Sequence, residues 1–123
     1  MNYSEFNDEQ KQALLELLAM GMYADNHLAL TEDARLQELL ATLPLVSDHA
    51  CQRLLDETIV RAGRHTITAE SRRARAGELA KQFPNLELRQ RVCAALEDLL
   101  GSDQRVTEAE KEFLSLVKQV FAC

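Results

Sequence analysis

Apolar residues recur at intervals of three and four along almost the whole chain: Leu14, Leu17 and Leu18; Leu36, Leu39, Leu40 and Leu43; Leu54, Leu55 and Ile59; Ala76, Leu79 and Phe83; Leu88, Val92, Leu96 and Leu99; Phe113, Val117 and Val120. Each set falls on one face of an α-helix, which predicts an all-α protein. Helix-start chemistry agrees. Asn7 precedes Gln10 by three, Thr31 precedes an acidic turn, Ser47 precedes Asp48, Asn85 precedes Glu87, and Thr107 stands three before Glu110. Pro44 and Pro84 are stop signals. Helices are therefore predicted near 8–24, 32–43, 48–64, 69–83, 86–101 and 108–121. With only four Gly and two Pro in 123 residues, the turns of a β-sandwich or barrel are not provided for. The expectation is one compact domain over 1–123, a bundle of about six helices joined by short connections.

With 46% hydrophobic and 28% charged residues, the chain has the balance of a single globular core. It shows no apolar run of the roughly 18 residues a membrane span needs, and MNYSEFNDEQ lacks the basic and apolar regions of a secretory signal, so a cytoplasmic protein without membrane insertion is expected. Cys51, Cys93 and Cys123 form no CxxC pair and are read as reduced thiols. The net charge of −6 opposes nonspecific attraction to nucleic acid or anionic lipid. It is unevenly spread: residues 1–60 carry 11 acidic and 3 basic groups, whereas residues 61–81 carry 6 basic and 2 acidic groups. The basic island is Arg61, Arg64, Arg72, Arg73, Arg75 and Lys81. Three readings of it stay open: a solvated helix face, an anchor for an acidic partner, or internal pairing against the acidic N-terminal segment.

Laid on itself with an offset of 78 residues, the chain matches Leu14 with Val92, Leu18 with Leu96, Asp25 with Asp103, Leu28 with Val106, Glu32 with Glu110, Leu36 with Leu114, Leu39 with Val117 and Leu43 with Phe121. Amphipathic helices overlap at apolar positions by default. The shared turn Asp-x-x-(Leu/Val)-x-x-x-Glu, with nothing inserted, is what adds specificity. It implies two similar helical hairpins, at 10–43 and 86–121, each covering the apolar face of the other.

In each unit the turn sets one carboxylate at the end of a helix and another at the start of the next. Folded back, Asp25 with Glu32, and Asp103 with Glu110, would offer oxygen ligands to a hard divalent cation, with Leu28 or Val106 anchoring the loop inward. An EF-hand is excluded, since its loop needs alternating ligands, a central Gly and a Glu at position 12. The competing reading is capping: Glu110 occupies N3 of a box begun by Thr107, Glu32 suits the positive end of a helix dipole, and Asp is an ordinary turn residue.

The segments LLELLAMGMYADNHLALTEDARLQELLATL and RVCAALEDLLGSDQRVTEAEKEFLSLVKQVF resemble the two halves of the TerB-like, tellurite-resistance domain, and are similar to the N-terminal region of DjlA-type co-chaperones. The resemblance covers roughly residues 10–121. It implies a compact helical bundle whose halves each carry an Ala-Asp-Gly-like turn followed by Glu; Ala24-Asp25 and Glu32 match the first half, Asp103 and Glu110 the second. It further implies a bacterial, cytoplasmic stress-response protein whose acidic positions contact metal. Asn26 and Gln104 replace the family's usual Gly. Asn tolerates a left-handed turn better than Gln does, which makes the second loop the weaker candidate for an ion.

The remaining chemistry is sparse. None of the three His has a Glu three residues before it, as a di-metal carboxylate bundle would require. His27, two residues from Asp25, is the one candidate for an added ligand, and a solvated loop His is the competing reading. His49 and Cys51 face different ways on a helix. GxSxG, P-loop and GxGxxG motifs are missing from the sequence. The sequence therefore reads as a non-catalytic protein that binds a divalent cation such as calcium, magnesium or zinc, or a protein partner, through its acidic loops. The alternative is a metal-dependent hydrolase using the same loops to activate water.

Overall fold

A computed structural model describes residues 6–24, 34–43, 47–65, 68–100 and 108–122. These form α1 (Asp8–Ala24), α2 (Ala34–Leu40), α3 (Asp48–His65), α4 (Ala69–Ala80), α5 (Leu86–Leu100) and α6 (Glu108–Phe121), with no strand among the described residues. The fold is an all-α bundle. Among the described residues no helix is long and apolar enough to cross a membrane.

Three of the five expected starts are built as their sequences propose, while Thr31 and Thr107 lie outside the described residues. Asn7 and Gln10 form a reciprocal box, the Gln10 amide donating to Asn7 Oδ1 at 2.8 Å and the Asn7 amide to Gln10 Oε1 at 3.0 Å. Ser47 Oγ accepts from the Ala50 amide and Asn85 Oδ1 from the Leu88 amide. Another box, between Thr68 and Ser71, opens α4. Asn7→Ala is expected to cost about 0.5–2 kcal/mol in urea unfolding, by leaving the Gln10 amide without its side-chain acceptor.

The second and fourth helices end three residues earlier than predicted, at Leu40 and Ala80. Both lie four residues before a proline, where the proline ring would collide with the helical carbonyl. The chain instead tightens into i→i−3 bonds: Thr42 to Leu39 and Leu43 to Leu40 after α2, Gln82 to Leu79 and Phe83 to Ala80 after α4.

Helix α1 organises the bundle. Every residue from Ala13 to Met22 is buried, as a helix apolar on nearly all sides requires, and α1 contacts each of the other five helices. Lys11 Nζ donates to the Thr42 carbonyl at 3.0 Å, so α2 returns beside the start of α1. Gln10 Nε2 donates to the Gln82 carbonyl, and Glu16 meets Arg75, so α4 runs antiparallel to α1. At that same end Phe83 packs edge-on against Phe6 and tilted against Phe121, with ring centroids 5.9 Å apart in both pairs. Helices α5 and α6 contact one another and both contact α1. The two expected hairpins are thus helix pairs in mutual contact.

Candidate functional site

The helix at the centre of the bundle carries one acid inside its apolar run, Leu14-Leu15-Glu16-Leu17-Leu18. Because α1 is enclosed, Glu16 is enclosed with it, its side chain 2% exposed. A carboxylate in that position is retained in charged form only with strong partners. Two arginines supply them. From α4, Arg75 donates through Nε to Oε2 and through Nη2 to Oε1, the latter at 3.0 Å. From α3, Arg61 donates through Nε to Oε1 at 3.0 Å. Arg75 also donates to Glu78, and Arg61 Nη2 reaches Thr58 Oγ1, whose hydroxyl donates to the Leu54 carbonyl.

Burial pushes the Glu16 carboxyl up, but the hydrogen bonds and charges of Arg75, and then of Arg61, outweigh it and hold the group below its ordinary range. The Arg75 guanidinium is raised in turn, chiefly by its bond to Glu16. An ionised carboxylate already accepting three charge-assisted bonds is a poor proton acceptor. Two guanidiniums beside it repel a metal ion. The cluster therefore acts as a clasp that fixes α3 and α4 on α1. Over it opens a cleft of about 340 Å3 lined by Glu9, Gln12, Glu16, Arg61, Arg75 and Gln82, with its two acids and two bases in balance.

This resolves part of the basic island. Arg61 and Arg75 pair internally with the acidic N-terminal segment; Arg72 Nε donates to the Thr68 carbonyl and Arg73 Nη2 to Gln119 Oε1. Arg64 and Lys81 are exposed. The reading of three reduced thiols is corrected: Cys93, buried on α5, is disulfide-bonded, while Cys51 is free and Cys123 lies outside the described residues. An odd cysteine count leaves room for a bridge, and sequence spacing does not reveal which sulfurs approach.

Of the residues proposed to meet a cation, Asp25, Glu32 and Asp103 lie outside the described residues, as do the anchors Leu28 and Val106 and the histidine His27. Glu110 stands in the first turn of α6, and its side chain is likewise outside the description. Among the described residues no three His, Cys, Asp or Glu gather as a metal site. Comparison with protein-family models, with curated proteins and with solved structures finds no match to this chain.

Proposed function

We infer that this chain is a non-catalytic, TerB-like binding module of a stress-response system, which takes up a divalent cation or a protein partner through the acidic connections at 25–32 and 103–110. The observation that carries this reading is the 78-residue self-match seen against the fold. The matching segments supply the pairs α1–α2 and α5–α6, each pair in contact internally and with the other through α1. The two acidic connections are thereby the corresponding joints of a duplicated unit. Two carboxylates in each connecting sequence suit an oxygen-seeking cation. The buried carboxylate of the cleft is committed to Arg61 and Arg75 and is unsuited to serve as a general base, so a hydrolase would have to draw on the acidic connections themselves.

Calorimetric titration of chelator-stripped protein with calcium, magnesium, zinc and manganese tests this reading. At least one cation is expected to bind saturably, and Asp25→Asn with Asp103→Asn to abolish the heat. Binding that survives both substitutions would place the ion elsewhere.

A further inference from the structure

The outward face of α3 is read as a site for a second copy of this chain, an inference independent of the acidic loops. Most of α3 that turns away from α1 is exposed: His49, Gln52, Arg53, Asp56, Glu57, Val60 and Arg64. Val60 is 52% exposed, one of two large apolar side chains left so open among the described residues. Beside it runs a groove of about 350 Å3, lined by Asp56, Glu57, Val60, Arg61 and Arg64.

Along this face the charges have an order. Asp56, Val60 and Arg64 lie four residues apart on one ridge, so a negative and a positive group each stand about 6 Å from the valine along the helix axis. Next to them, Glu57 and Arg61 repeat the same polarity. Their present partners sit within the chain: Arg53 bonds Glu57 at 3.3 Å, with both side chains more than half exposed, and Arg61 bonds Glu16 while remaining 40% exposed. Among the described residues Asp56 accepts only from the exposed Gln52 and Arg64 has no charged partner.

A ridge reading negative, apolar, positive at equal spacing is its own complement when reversed. A second α3 laid antiparallel about a two-fold axis at Val60 sets valine on valine and Asp56 of each copy against Arg64 of the other. Glu57 then faces the Arg61 side. Ridges of residues four apart are the rows that interdigitate in the commonest helix crossing, with axes 8–10 Å apart, within reach of an Asp–Arg pair. A parallel copy would oppose like charges. The same patch carries three basic and two acidic groups, Arg53, Arg61 and Arg64 against Asp56 and Glu57, in a chain of net charge −6, so the general repulsion between two copies is relieved there. We propose that the chain forms an isologous, salt-sensitive dimer through antiparallel α3 helices. One helix face is small beside the roughly 1,200–2,000 Å2 buried in stable interfaces, so the dimer belongs to high protein concentration.

Sedimentation velocity over a range of protein concentrations tests it, with circular dichroism and melting used to verify that each variant is folded. The wild type is expected to shift from monomer to dimer as concentration rises, less so in high salt. Asp56→Arg alone and Arg64→Asp alone should each weaken association about tenfold or more, and the double swap should restore it, because reversing both charges regenerates the complementary order. Monomer at every concentration, a dimer indifferent to the single swaps, or a double swap that does not recover would each overturn the proposal.

Discussion

Arg75→Ala is expected to lower the unfolding free energy by about 3–5 kcal/mol at neutral pH, the cost of breaking a buried ion pair from one side. The carboxylate of Glu16 is 2% exposed and would be left with Arg61 alone, itself 40% exposed. Arg61→Ala should cost less, because the bidentate bond from Arg75 remains. The loss also carries a pH signature. In the wild type Glu16 is lowered in the folded state relative to about 4.3 for an unfolded Glu. Its contribution is therefore present above that value and is lost as pH falls through the folded one. Without Arg75 the burial of Glu16 is poorly offset, and protonating it relieves the penalty. The stability gap between variant and wild type should close in acid. Urea unfolding at pH 7 and pH 3 measures it, and a gap that does not change with pH would mean that lost packing, not charge, is responsible.

Phe83→Ala is expected to cost about 3–5 kcal/mol. Phe83 is fully buried and joins Phe6 before α1, its own turn after α4, and Phe121 at the end of α6. Its removal opens a cavity where three separated parts of the chain meet, and aromatic contacts contribute about 0.5–1.5 kcal/mol per pair beyond area. Phe83→Leu should recover part of the loss. The chemical denaturation midpoint reads both, and an unchanged midpoint for Phe83→Ala would contradict the role given to this cluster.

These two residues show how far the sequence reaches. Phe83 stands out as an apolar position at helical spacing, and the caps at Asn7, Ser47 and Asn85 are visible because their side chains bond within one turn of chain. The ends of α2 and α4 are misjudged by three residues because the proline acts on a carbonyl four positions back. The Thr68 box escapes notice because Ser71 stands where the usual signature has Glu or Gln. Glu16 is the larger omission. Four leucines around one acid signal a buried charge, but its partners lie 45 and 59 residues away, and local spacing does not specify such contacts. The bonded state of Cys93 is likewise not legible, because cysteine spacing does not reveal which sulfurs approach. Asp25, Glu32, Asp103 and Glu110 are singled out as candidates by the internal repeat and the TerB-like resemblance. Their convergence depends on loop geometry, which neither of those supplies.

The binding reading is tested most directly by thermal unfolding of three chelator-stripped proteins, each with and without added cation: the wild type, Asp25→Asn with Asp103→Asn, and Thr107→Ala. A cation held by the native state alone should stabilise the wild type by about 2.7 kcal/mol at a hundredfold excess over its Kd. That gain should vanish in the double variant while its apo form stays folded, since Asn keeps the turn chemistry and loses the charge. Thr107→Ala should begin about 0.5–2 kcal/mol lower for want of its cap and still respond to the cation. A flat response of the wild type to calcium, magnesium, zinc and manganese, with a loss only in Thr107→Ala, would contradict cation binding and leave these acids as caps and turns.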